Sequence, residues 1–237
     1  PLVVYFPTVL ETNLGVLLQG PYITTPSRDN VPRDNPWNQH LVRETALLLV
    51  EALHWLRDYE LLDVTTLHCL PLDRARFSGN NMFAPLFEVA RDALNSKSLL
   101  PCFGGGYAPT TRSRLARTQE LRELFSPQQL ADIFGEQEEL FWLSPEITQD
   151  RTPELRRYLI NELDVPELTP ETILWWIDKS FLEGQPDGWI IKLYEFLSNQ
   201  RGLRTLIERL PLIRLEDGTH VPAYRDGIPQ AFLPSPL

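Results

Sequence analysis

Arg28 lies in the stretch Gln19-Gly20-Pro21-Tyr22-Ile23-Thr24-Thr25-Pro26-Ser27-Arg28-Asp29-Asn30, where an apolar strand pattern gives way to a polar loop. A guanidinium stays charged and presents its donors in a rigid fork. An arginine on a loop held by a strand therefore suits an anion, or the charge that develops on a transferred phosphoryl group. Ser27 and Asp29 flank it, and Arg33 follows as a second cation. The plainer alternative is a solvated arginine paired with Asp29 or Asp34.

The other residues capable of chemistry are scattered. His40, His54, His68 and His220 share no metal-ligand spacing, and Cys69 and Cys102 sit singly among apolar neighbours, as buried thiols in a reducing, cytoplasmic setting would. Gly104-Gly105-Gly106 is followed by neither GxxxxGK[ST] nor GxGxxG, so the triplet reads as a hairpin turn rather than a phosphate loop. No GxSxG, HExxH or DxDxDG pattern occurs. The chain carries no complete active site and no metal or cofactor signature of its own.

Composition narrows the classes further. A hydrophobic fraction of 43% with 23% charged residues fits a soluble globular chain, and no apolar run is long enough for a membrane span. A net charge of -10 argues against gripping a nucleic-acid backbone. Arg112, Arg114, Arg117 and Arg122 form a local strip, but Glu120 and Glu123 interrupt it, so a solvated face is expected there. The chain opens at Pro1 on an apolar run and its single methionine is Met82, so it reads as a piece of a longer polypeptide.

Several elements must position the Arg28 loop. Residues 2–6 and 14–19 read as two short apolar strands, paired or forming a hairpin. Pro26, Pro32 and Pro36 keep the following segment out of helix and central strand. Asn35 as a cap with Pro36 behind it predicts a long helix over 37–58, whose broad apolar face would make it the main beam of the core. After an apolar stretch at 61–72, a helix is expected from Met82 to Leu94, followed by a strand, glycine turn and strand over 99–109.

Beyond a soft boundary near residue 117 the pattern is mainly helical. Ser126-Pro127, Thr152-Pro153 and Thr169-Pro170 each place a capping hydroxyl before a proline, and a further helix is expected over 187–199. Trp175, Trp176 and Trp189 fall at helical spacing, which predicts core rather than a binding surface. Residues 212–222 repeat the strand, Gly218 turn, strand and proline order of the 99–109 segment, suggesting a weak internal duplication. The expected fold class is α+β: a lobe at 1–117 with a small sheet on the long helix, then a helical lobe at 118–237 ending in a β-hairpin.

The order Phe6-Pro7-Thr8, Glu11-Thr12, Leu14-Gly15, Leu18-Gln19-Gly20, Ser27-Arg28-Asp29 and Trp37 resembles the region that follows the ATPase domain in sacsin-type proteins. It is also similar in order to the middle domain of the heat shock protein 90 class, a GHKL-type ATPase family. There a Ser-Arg-acid loop reaches the terminal phosphate of ATP held by the preceding domain. The resemblance covers about a quarter of the chain and departs from the chaperones at Pro26 and the proline-rich tail of the loop.

The resemblance implies that Arg28 senses phosphate, with Ser27 and Asp29 as supporting neighbours and Arg33 as a second candidate. It further implies that ATP and Mg are held by a preceding ATPase domain of the same chain, and that client proteins are partners. The Asn-bearing helix and DxGxG loop of that superfamily are absent from these residues, so this chain alone is not expected to be an enzyme. The alternative is a structural protein-interaction module, and a self-contained hydrolase is the remaining reading.

Overall fold

A computed structural model describes residues 1–232, and the chain forms two units: Pro1–Arg114 with Leu143–Pro166, and Leu115–Trp142 with Glu167–Leu237. In chain order the elements begin with β1 (Leu2–Val4), β2 (Phe6–Pro7), β3 (Leu18–Gln19), α1 (Pro36–Asp58), α2 (Val64–Leu67), α3 (Arg74–Phe77) and α4 (Ala84–Ser96). Next come β4 (Leu100–Pro101), β5 (Tyr107–Ala108), β6 (Ser113–Ala116), α5 (Gln119–Leu124), α6 (Pro127–Phe134), β7 (Phe141–Trp142) and α7 (Pro153–Asn161). The rest are β8 (Glu167–Leu168), α8 (Pro170–Trp176), α9 (Lys179–Glu183), α10 (Asp187–Ser198), α11 (Arg204–Arg209), β9 (Ile213–Arg214), β10 (His220–Val221), β11 (Tyr224–Arg225) and β12 (Ile228–Pro229). The architecture is α+β, as the sequence pattern predicts.

The N-terminal sheet differs in detail from the expected pair of strands. Tyr5 takes a left-handed conformation (φ 59°) and turns the first apolar run back on itself, so β1 and β2 pair antiparallel. β3 then lies parallel to β1, with Leu2 opposite Leu18 and Val3 opposite Gln19. Only the end of the 14–19 segment joins the sheet, because Gly15 is drawn elsewhere: its N–H donates to the Cys69 carbonyl at 3.0 Å. A Cβ on Gly15 would stand 2.6 Å from Cys69 Cα, a separation only glycine permits.

α1 begins where its cap predicts. The Asn35 side chain accepts the backbone N–H groups of Trp37 and Asn38, and Pro36 occupies a first-turn position that needs no donor. Its buried face is Asn38, Val42, Ala46 and Leu53, packed against α4, which buries Leu86, Phe87, Ala90 and Leu94. That face is narrower than the sequence suggests, since Leu47 and Leu48 remain 57% and 62% exposed. The apolar stretch near 61–72 holds the short helix α2, which Asp63 caps by accepting the Thr66 N–H.

Residues 143–166 return to the first unit after the chain has left it. The Tyr158 ring of α7 meets Phe87 of α4 edge-on at 5.9 Å, and Leu155 and Leu159 are fully buried. A single boundary near 117 omits this return, which depends on side-chain packing rather than on any local breaker.

In the second unit β7 and β8 flank β6, with Leu115 opposite Glu167 and Ala116 opposite Leu168 in parallel register. Leu121, Phe125, Leu130, Trp142, Ile173, Leu174, Ile190 and Leu193 form its core. Trp189 packs there and donates its indole N–H to the Leu124 carbonyl at 2.8 Å. Trp175 and Trp176, expected in the core, are 67% and 57% exposed instead. α8 ends at Trp176, and its short length buries only one face, that of Ile173 and Leu174.

Gly104–Gly106 and Gly218 all have positive φ and turn the antiparallel hairpins β4–β5 and β9–β10, as expected for turn glycines. A third hairpin, β11–β12, turns on Asp226-Gly227, both in the left-handed region, and the sequence reading did not include it. The arginine strip is the expected solvated face only in part, at the exposed Arg117. Arg114 is buried with its guanidinium on the Ser113 carbonyl at 2.9 Å, Arg117 meets Glu167 at 3.3 Å, and Arg122 donates to the Ala116 carbonyl.

Candidate functional site

The loop carrying Arg28 grows from β3. Gly20 N–H donates to the Val3 carbonyl at 3.2 Å and ends the sheet. The chain then passes Tyr22, which is buried with its hydroxyl 3.3 Å from that of Thr45 on α1. Trp37 adds a second tie by donating its indole N–H to the Pro21 carbonyl at 3.0 Å.

Asn38, in the first turn of α1, holds both ends of the loop. Its side-chain oxygen accepts the Ile23 N–H at 2.7 Å, while its amide nitrogen donates to the Ile23 and Pro32 carbonyls, each at 2.9 Å. Asn38 is fully buried and its loop partners are exposed residues, so the three bonds are part-buried and satisfy an amide that has no access to water of its own. Val31, at 1% exposure, plugs the same base with an apolar contact. Sequence reading missed Asn38, which at a helix start looks like one more polar surface position.

Within the loop, Thr25 and Asn30 close the tip: the Thr25 N–H donates to the Asn30 carbonyl at 2.9 Å. The Arg28 N–H donates back to the Thr25 carbonyl at 2.9 Å, which makes a tight turn through Pro26 and Ser27. Proline suits the first corner of such a turn because its φ is already set. Pro26 therefore shapes the tip, and Arg28 emerges from it in the left-handed conformation at φ 60°.

Ser27 and Asp29 brace the backbone and leave the guanidinium alone. The Thr25 hydroxyl donates to the Asp29 carboxylate at 2.9 Å, and the Ser27 hydroxyl makes a short hydrogen bond to the same oxygen. These hydroxyls, that of Ser27 foremost, hold the Asp29 carboxyl below the usual range. The Asp29 carbonyl also accepts the Val9 N–H at 2.8 Å, tying the tip to the strand end after β2.

Arg28 is exposed, and among the described residues its guanidinium forms no ion pair or hydrogen bond. The alternative of pairing with Asp29 or Asp34 is not what the loop adopts. Arg33 belongs to different surroundings: it donates to the Asn80 carbonyl at 2.9 Å and lines an open cavity of about 640 Å³ with Arg76 and Glu11. The loop thus presents one uncommitted cation on a braced, partly strained backbone, an arrangement that can complete an anion site but has no partner chemistry beside it.

The remaining titratable groups do not gather. Among the described residues no three His, Cys, Asp or Glu side chains could hold a metal ion together. Cys102 is buried and its thiol is pushed up to about 11 by desolvation, whereas Cys69 is only half-buried. His220 is buried, and burial lowers its pKa while the nearby Pro211 and Leu212 carbonyls oppose that shift without bonding its ring nitrogens. No helix among the described residues is long and apolar enough to cross a membrane. Comparison with known protein families, curated proteins and solved structures finds no match for this chain.

Proposed function

We propose that this chain is a non-catalytic middle segment of a sacsin-like, heat-shock-chaperone-type ATPase. It couples the nucleotide state of a neighbouring ATPase domain to rearrangement or client contact. One observation carries the reading: Arg28 is exposed, uncommitted and held in a left-handed turn whose base is locked by buried Asn38. The left-handed backbone costs about 1 kcal/mol and is shared by Tyr5 and Asp226, so the reading rests on the exposed, uncommitted guanidinium and the braced loop that presents it.

In this reading ATP and Mg are bound by the preceding domain in a cytoplasmic protein. Arg28 reaches the terminal phosphate from outside and stabilises the charge that builds up during transfer. Ser27 and Asp29 serve it indirectly by fixing the backbone from which it projects. Arg28→Ala, in a polypeptide joining this chain to its ATPase domain, should lower turnover by about 10³-fold while leaving ATP affinity within a few-fold. Unchanged turnover would sink the idea.

A second reading, a protein-interaction module without an ATP-linked role, is favoured by the exposed apolar residues Leu47, Leu48 and Trp55 on α1. It predicts partner capture that is indifferent to Arg28→Ala and lost on Leu48→Glu. The two substitutions therefore separate the readings in one pair of experiments.

A further inference from the structure

The second unit carries a hairpin that forms a two-stranded sheet of its own. β9 and β10 pair antiparallel, with His220 opposite Arg214 and Val221 opposite Ile213. Two side chains tie β9 down. The Tyr194 hydroxyl of α10 donates to the Leu212 carbonyl and accepts the Arg214 N–H, each at 2.8 Å. The Arg214 guanidinium donates to the Gln185 carbonyl at 2.8 Å and pairs with Asp187 at 3.1 Å. β10 packs on α9, the helix that buries Leu182.

His220 is the one fully buried polar residue among the described residues of this unit, at 1% exposure. Neither of its ring nitrogens has a hydrogen-bond partner among the described residues. A neutral imidazole buried without a partner already weakens the hairpin. A proton on it would add a charge, which burial penalises far more.

The charged groups around the ring are committed elsewhere. Arg214, opposite on β9, is a cation whose charge is met by Asp187. On α9, Glu183 is paired with Lys179 at 3.4 Å. In the turn between the strands Glu216 is exposed, and Asp217 accepts the Thr219 N–H at 2.9 Å and the Thr219 hydroxyl at 2.6 Å. The Pro211 and Leu212 carbonyls favour a proton on the ring, but neither brings a negative charge, and that of Leu212 already accepts Tyr194. Burial outweighs them and, with Arg214 adding to it, holds the imidazole below its ordinary value.

We propose that the β9–β10 hairpin is an acid-released clasp with His220 as its trigger: protonation of the buried imidazole lifts β10 from α9 and uncovers apolar residues. The opening is local. The hairpin shares no strand pairing with the sheet of β6, β7 and β8, and most of the core comes from α5, α6, α8 and α10. Leu182 and Leu212 are the buried residues it bares, so acid exposes an apolar surface that neutral pH conceals. Linkage sets the direction. The ring binds a proton more readily when the hairpin is open, so the clasp is fully held above about pH 6.5, the unfolded value. It loosens as pH falls from there towards the lower folded value.

The test is amide hydrogen exchange of the 237-residue chain, read as protection factors so that the intrinsic effect of pH on exchange is removed. Protection of the Arg214 and Leu215 amides, which the hairpin's hydrogen bonds engage, should fall about tenfold between about pH 6.5 and pH 5.5, the limit for one proton. The Leu130 and Ile190 amides, in α6 and α10, should hold theirs. His220→Gln, which cannot take the proton, should keep the neutral-pH protection of the hairpin and lose its pH dependence. The imidazole titration of the unaltered chain, followed by NMR, decides the matter even if that variant fails to fold: the His220 ring should titrate below about pH 6.5, together with the loss of hairpin protection. A ring that titrates at or above that value, hairpin protection that is flat with pH or falls equally in His220→Gln, or core amides that open along with the hairpin would overturn the proposal.

Discussion

Arg28 and Arg74 are both arginines at the surface of the first unit, and they are held in opposite ways. Arg74 has its charge met by Glu162 at 2.6 Å and by Glu88 at 3.8 Å, with an aromatic ring beneath it. Its backbone is ordinary helix. Arg28 has a constrained backbone and an unmet charge: the turn, the bracing hydroxyls and Asn38 fix where it starts, while nothing in the described residues fixes where it ends. An arginine that serves the fold spends its donors inside the protein. On the proposed function Arg28 keeps its donors for a partner, and the bracing lies in the loop that presents them.

That contrast can be broken at the loop's base first. Asn38→Ala would strip part-buried partners from the Ile23 N–H and from the Ile23 and Pro32 carbonyls and should cost about 1–3 kcal/mol in denaturant unfolding. It should also speed hydrogen exchange at the Ile23 amide. A loss below about 0.5 kcal/mol would mean that the loop is held by something other than this bracket.

Arg74→Ala is expected to lower the denaturant midpoint by less than Asn38→Ala does, because the ion pair is half-exposed, although it leaves Glu162 and Phe87 uncovered. Turnover in the joined polypeptide should not change. If turnover fell as far as with Arg28→Ala, the division between fold-serving and partner-serving arginines would be wrong.

Acid offers a finer probe of the tip. The Asp29 carboxyl is lowered in the folded loop, mainly by the Ser27 hydroxyl and then by that of Thr25. Its bracing contribution is therefore complete above about pH 4, the unfolded value, and is lost as pH falls through the lower folded value. Amide shifts of Thr25 and Asn30 should follow that titration without global unfolding. Flat shifts down to pH 2 would show that the carboxylate does not brace the turn.

Legibility in the sequence followed the range of the interaction. Asn35-Pro36 announces α1, and Ser126 with Gln129 announces the capping box that opens α6, because caps are set by residues within one turn of each other. Arg28 stands out for a similar reason, as the one cation at the tip of a strand-to-loop passage. The parallel pairing of β1 with β3 was not legible, since it joins distant segments through a few backbone bonds.

Tertiary context also decided which apolar residues are buried. Leu47 and Leu48 are indistinguishable from core residues by type, yet α4 covers only the stripe that runs through Val42, Ala46 and Leu53. Asn38 and His220 escaped for the converse reason. An asparagine in a first helical turn and a lone histidine in a hairpin have ordinary surface roles, and only the burial of their polar atoms marks them out.

The central claim is tested most directly by Arg28→Gly, because glycine removes the cation and relieves the left-handed backbone at once. Measured side by side in the joined polypeptide, the variant should be more stable by about 0.5–1 kcal/mol and yet lose ATP turnover as far as Arg28→Ala does. A variant that gained stability and kept full turnover would contradict the account, leaving Arg28 as an ordinary surface residue in an unfavourable conformation.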